Sequence, residues 1–308
     1  MLQTLTLRHA VLHQICEFSG PTHGADWMLP DLEPRRFAEA APWLAPRYWM
    51  PATNRLVFTM QAFVLMAGAS TIVIDTGVGN HKERPAPSQS QLNTPFLDWM
   101  RGIGCPPEKV THVVNTHLHG DHVGWNTQWI EGRLEPTFPN AVYCMPELEW
   151  RIFRDRRLAG ELAYHTQPFD DSVVPVVEAG LVRFVRPGDR IADVLTALAA
   201  PGHSPGQLAY ELRDGSERFL FAADVIHSPL QVLHPHVNSR WCEAADEARR
   251  TRLDLMGRAA DERLVWLSAH GFGLDGWRIR RDPAGFALTI GIQNVAAAPA
   301  ADPAPASA

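Results

Sequence analysis

Residues 117 to 122 read His117-Leu118-His119-Gly120-Asp121-His122, three imidazoles and a carboxylate in six positions. In a chain of 308 residues with 14 histidines, composition alone would give about 0.002 occurrences of H-x-H-x-D-H. Packed together without a cation, these groups would repel one another or stay unsatisfied, so the pattern points to metal ligation. The preceding THVVNT, residues 111–116, has the β-branched content of a short strand, which places the motif at a strand's C-terminal end. Side chains alternate along a strand. His117 and His119 can therefore face one ion while Asp121 and His122 turn in the following loop toward a second.

Three further residues stand in comparable positions, each after an apolar run: His203 in AAPGHSPG, Asp224 in FLFAAD and His270 in LVWLSAH. Together these make seven nitrogen and oxygen donors, enough for two divalent ions per chain if water completes each shell. Imidazole and carboxylate suit borderline ions, zinc first, with manganese, iron or cobalt as alternatives. Asp75, in IDTG, is read as a turn former or a partner that orients a ligand rather than as a ligand.

Outward from these points the chain alternates strand and helix patterns. The N-terminal MLQTLTLRHAVLHQICEF reads as a first strand. LVFTMQAFVLM (56–66) and STIVIDTG (70–77) read as a hairpin, although Leu56 to Ile74 carries no charge, because β-branched residues and a Gly68-Ala69-Ser70 break argue against a spanning helix. Helices are expected around TPFLDWMRGIG (94–104), over 146–165 with Leu148, Ile152, Phe153 and Leu158 on one side, and over 243–262. LAYELRD and RFLFAAD should form a hairpin about Asp214-Gly215. Strand ends bearing His and Asp recur in both halves, which argues for one α/β domain, 1–294, around a shared site, followed by an Ala/Pro-rich disordered tail, 295–308. Residues 21–54 hold six prolines among large apolar side chains, so they are read as either a cover over an apolar substrate pocket or a homodimer interface, Trp27 and Trp49 included.

Composition narrows the function. The net charge of −6, with no Lys/Arg stripe, provides no attraction for a polyanion, which excludes nucleic acid as the expected partner. Four widely spaced cysteines suggest neither a disulfide framework nor a cysteine zinc cluster, and fit a reducing, cytoplasmic setting with no membrane partner.

HLHGDH, PGHSPGQ, FAAD and SAH, in that order with VIDTG upstream, resemble the metallo-β-lactamase superfamily over about residues 5–292. The resemblance implies an αββα sandwich of two mixed sheets with helices outside. Carried over residue by residue, it implies that His117, His119 and His203 hold one metal, that Asp121, His122 and His270 hold a second, and that Asp224 bridges them. A bridging aspartate distinguishes the chain from the true β-lactamases. His119 stands where diiron flavoproteins have an acidic residue. His227 stands where acyl-homoserine-lactone lactonases have a tyrosine, and DVIHSPLQV, PTFPNAVY and PVVEAG look more like the methyl parathion hydrolase branch with its esterase- and lactonase-like members.

These readings imply a metal-dependent hydrolase in which a hydroxide bridging two ions attacks a small, apolar ester or lactone, or a phosphotriester. Asp121 would accept and return the proton, and His227 would donate a hydrogen bond to the substrate oxygen or orient Asp224. The alternative on the same fold is an iron-dependent oxidoreductase or dioxygenase, which metal analysis and oxygen consumption would separate from a hydrolase.

Overall fold

The structure, a computed structural model, describes residues 1–271, 273–274, 276–290 and 293–296. Its first sheet grows from β1 (Leu2–Thr6), β2 (Ala10–Gly24), β3 (Trp49–Met50), β4 (Arg55–Ala67), β5 (Ser70–Ile74) and β6 (His112–Val114). A separate hairpin follows, β7 (Thr127–Ile130) and β8 (Arg133–Pro136). The first sheet is then completed by β9 (Val142–Pro146) and β10 (Val182–Val185), giving the order β1-β2-β4-β5-β6-β9-β10 with β3 paired to β4. The second sheet runs in sequence order: β11 (Arg190–Ile191), β12 (Leu195–Ala199), β13 (Leu208–Asp214), β14 (Glu217–Phe221), β15 (Val265–Leu267), β16 (Trp277–Asp282), β17 (Gly285–Ile290) and β18 (Gln293–Ala296). Both sheets are mixed, with parallel pairing from β5 through β6 and β9 to β10 and between β14 and β15.

Alternation along the strands sorts the layers. On β4, Phe63 and Leu65 pack between the sheets against Tyr210, Leu212, Phe219 and Phe221, while Ala62 and Val64 face a second cluster with Phe96, Met100 and Phe153 of the covering helices. On β14, Leu220 points the other way, into a cluster that includes Leu255, Met256 and Ala259 of the helix Ala245–Asp261. The result is helix, sheet, sheet, helix, the expected αββα sandwich.

Four local expectations are corrected. The N-terminal stretch is two strands, because Arg8 and His9 turn with their amides donated to the Asp214 carboxylate. The helix beginning at Glu147 ends at Ala159, where Gly160 caps it at φ 74°; Leu148 and Leu158 are 51% and 80% exposed, and Glu149 and Phe153 are the buried residues. Residues 21–54 contribute to the internal core: Met28, Leu29, Phe37, Leu44, Tyr48 and Trp49 are buried in the cluster that also holds Leu220 and Trp266. β18 extends to Ala296, past the expected boundary at 294, and residues 297–308 of the expected tail lie outside the described residues. No helix among the described residues is long and apolar enough to cross a membrane. The uncharged stretch 56–74 is the expected β4–β5 hairpin.

Candidate metal centre

Parallel pairing of β5 with β6 and of β14 with β15 brings four strand C-termini to one edge of the sandwich. Asp75 follows β5, the motif 117–122 follows β6, Asp224 follows β14 and His270 follows β15. His203 lies in the turn between β12 and the antiparallel β13, whose start lies beside the end of β14. Sequence positions as far apart as Asp75 and His270 thus share one place.

All seven expected ligands converge there, in groups whose donor atoms lie within 4.8 Å of one another: His117, His119 and His203; His117, His122 and Asp224; Asp121, His122 and His270. His119 Nδ1 is 3.0 Å from His203 Nε2. Asp224 sits between the groups. Its Oδ2 lies 3.3 Å from His203 Nε2 and 3.2 Å from His270 Nε2, while its Oδ1 lies 3.4 Å from His122 Nε2. Asp121 Oδ2 is 3.8 Å from both His122 Nε2 and His270 Nε2. His227 joins the cluster, its Nε2 3.3 Å from Asp224 Oδ2.

The donor set fits a pair of cations. His117 Nε2, His122 Nε2 and Asp224 Oδ1 are buried without hydrogen-bond partners, an arrangement that is costly unless something positive lies between them. Burial, reinforced by neighbouring imidazoles, holds His117, His119 and His203 well below the usual histidine range, so they are neutral, as ligands must be. Burial opposes ionisation of Asp224, but the surrounding imidazoles, His270 first, outweigh it and hold the carboxyl well below the usual carboxylate range. At His122 and His270 burial also opposes charge, and Asp224 overcomes it to push both upward; these are positions where the protein alone already supplies an anionic field for a cation.

In three of the five histidines the far ring nitrogen is occupied, which fixes the tautomer. His122 Nδ1 is 2.9 Å from Asp75 Oδ2, His117 Nδ1 is 3.0 Å from Thr116 Oγ1, and His270 Nδ1 donates to Thr59 O at 3.0 Å. Asp75 also accepts from Thr116 N and Thr116 Oγ1, both at 2.8 Å, which ties β5 to the motif and fits its expected role as an orienting partner. Asp75→Asn is expected to weaken metal binding about 10- to 100-fold through misorientation of His122, with an unchanged far-ultraviolet spectrum. Competition with a chromogenic chelator measures this; unaltered affinity would remove Asp75 from the account.

One residue had no signal in the sequence. Glu149, fully buried on the first turn of its helix, accepts from Gly206 N at 2.7 Å, from Leu118 N at 3.4 Å and from Ser204 Oγ. It therefore fastens the loop of His119 to the loop of His203. Burial drives its carboxyl up to about 7 against the pull of those three donors. The helix approaches so closely that a Cβ on Gly206 would lie 2.2 Å from Glu149 N.

A pocket opens over the cluster, lined by Asp121 and His227 together with Phe58, Tyr164, His165 and Trp241. The two tryptophans expected as its cover part company. Trp49 is buried, donates from Nε1 to Asn54 Oδ1 and packs on Phe37, so it belongs to the core. Trp27 is 42% exposed and stacks on His23, a pocket residue.

The family model described as "Metallo-beta-lactamase superfamily" matches residues 58–266. Among curated proteins, the N-acyl homoserine lactonase AiiB of Agrobacterium fabrum is 31% identical over 107 residues, covering 29% of this chain and 38% of the lactonase. The chain spans 38% to 56% of the length of the first curated relatives it matches. Among solved structures, the hydrolase AbOPH of the beta lactamase superfamily superposes with a TM-score of 0.76 at 18% identity, over 96% of this chain and 97% of AbOPH. AidC, a dizinc quorum-quenching lactonase in complex with a product, superposes with a TM-score of 0.73 at 17% identity, over 96% of this chain and 97% of AidC. At these identities the superpositions establish the fold.

Proposed function

The chain belongs to the metallo-beta-lactamase superfamily, and from that premise we propose that it is a metal-dependent hydrolase of a small, largely apolar ester or lactone, with phosphotriesters as a further substrate class. The observation that carries the proposal is Asp224, whose carboxylate lies within 3.4 Å of His203 and also of His122 and His270, so that it joins the group of His117, His119 and His203 to the group of Asp121, His122 and His270. In this reading His117, His119 and His203 hold one divalent ion, zinc in the first instance, and Asp121, His122 and His270 hold the other, with Asp224 shared. When bound, two such ions would supply Lewis acidity toward the substrate oxygen and lower the pKa of bound water toward about 7.

The chain's own groups do the rest. Asp121, on the pocket wall, accepts the proton of the attacking water on a carboxylate oxygen and returns it to the leaving group. His227, buried and facing the pocket with Nε2 3.3 Å from Asp224 Oδ2 and Nδ1 free of a hydrogen-bond partner, donates to the reacting oxygen as charge develops there. Phe58, Tyr164 and Trp241 exclude bulk water and strengthen both interactions. The lactonases and hydrolases among the similar proteins support this reaction class for the chain.

The test is a panel of chromogenic ester, lactone, β-lactam and phosphotriester substrates, run before and after chelation. Ester or lactone turnover that is lost with chelator and recovered with zinc is the expected result; oxygen consumption without hydrolysis would favour the oxidoreductase alternative. His227→Ala should lower kcat and kcat/KM together by about 100-fold at unchanged metal content. Reduced metal affinity with activity rescued by added metal would assign His227 to orienting Asp224 instead.

A further inference from the structure

The pocket wall is built from rings. On one side Phe58 lies face to face with His270, ring centres 4.8 Å apart and planes 16° apart; on the other His165 lies face to face with His119, at 4.1 Å and 4°. Between these pairs the contacts run without a break: Phe58 to His23 at 6.2 Å, His23 to Trp241 at 5.8 Å, Trp241 to Tyr164 at 5.3 Å and Tyr164 to His165 at 5.3 Å. The arc is supported from behind, where Trp27 stacks on His23 at 5.2 Å and the Arg240 guanidinium lies 5.1 Å over Trp27. Apart from rings, the apolar lining comes from Met60, Pro85 and Pro168; no leucine, isoleucine or valine among the described residues lines the pocket.

That composition bears on what the site prefers. A linear acyl chain gains only from buried area, whereas a flat aromatic ring adds offset-stacked and edge-to-face contacts with each ring it meets. Face and edge are both on offer here, since His23 and Trp241 stand at 77° to one another and Trp241 and Tyr164 at 49°. We infer that the group beside the scissile bond of the substrate is a flat aromatic ring, and that the arc of His23, Phe58, Tyr164, His165 and Trp241 is its seat. The inference rests on the hydrolase reading above and specifies its substrate class, an aryl-bearing ester or lactone in place of one with a linear acyl chain.

Hydrolysis of such an ester by water leaves a carboxylic acid and an alcohol, so the acid product serves as a ligand that is not turned over. Isothermal titration of the zinc-loaded protein with phenylacetate, cyclohexylacetate and octanoate, acids of equal carbon number, separates flat ring, puckered ring and chain. Phenylacetate should bind about tenfold tighter than either of the others. Trp241→Leu, which keeps apolar bulk but removes the ring, should abolish that preference, Trp241→Phe should retain most of it, and Tyr164→Leu should weaken it, all at unchanged zinc content. Equal or tighter binding of octanoate or cyclohexylacetate, no binding of any acid, or an unaltered preference in Trp241→Leu overturns the inference. Chelation distinguishes the underlying reading: binding of the acids that persists unchanged in metal-free protein counts against the metal centre, whereas metal-dependent binding without ring preference counts against the aromatic seat alone.

Discussion

Replacing Asp224 by alanine is expected to reduce kcat/KM by about 100-fold or more and to lower the bound metal from two equivalents toward one. The seven donors include only two carboxylates, Asp121 and Asp224; the other five are imidazoles. Two divalent ions would therefore meet two anionic side chains, of which Asp224 lies within 3.4 Å of His122, His203 and His270. Its removal leaves the paired cations less neutralised and takes a ligand from each, so the more weakly held ion departs. Asparagine at this position keeps the volume but loses the charge, and should fall between alanine and the parent in metal content. Elemental analysis beside steady-state kinetics measures both effects. An alanine variant with two equivalents and parental turnover would remove Asp224 from the site.

Glu149→Ala is expected to be the most destabilising single change near the site. It strands three buried donors, Leu118 N, Ser204 Oγ and Gly206 N, each worth roughly 1–3 kcal/mol when left unsatisfied. Removal of a carboxylate that is itself costly to bury offsets part of this, leaving about 3 kcal/mol. For a domain of this size that corresponds to a fall in Tm of roughly 5 °C. Because the residue joins the loops of His119 and His203, the loss should be accompanied by weaker metal binding. Calorimetry of the metal-free protein isolates the structural part. Equal melting temperatures for variant and parent would show that those loops hold their positions without Glu149.

The metal motif was legible because its chemistry restricts residue types so tightly: three imidazoles and a carboxylate in six positions have few other uses. Asp224 and His270 were legible for a related reason, since a polar ligand-forming residue directly after an apolar strand needs a partner. Glu149 was not. It is one of several acidic residues in a charged helix, and what marks it is the close approach of Gly206, a feature of tertiary packing. Within 21–54 the prolines obscure a helical period, which hides the core contribution of residues 35–44, whereas His23 does line the pocket. Phe37, Ala40 and Leu44 recur at that spacing within Arg35–Leu44, with Pro34 at its N-cap and Pro42 inside it, and all three are buried. The aromatic arc has no local signature, since its rings come from residues 23, 58, 164–165 and 241, and only the sandwich brings them together.

In the proposed reading one chain holds two metal ions through His117, His119, Asp121, His122, His203, Asp224 and His270. Elemental analysis of the protein, purified without chelator and passed through a desalting column, tests it most directly. Close to two equivalents of a divalent transition metal per chain are expected, falling to none on treatment with a strong chelator as hydrolysis is lost. A reproducible single equivalent in fully active protein would contradict the paired centre, and full activity without metal would contradict the reading of the site as a metal centre.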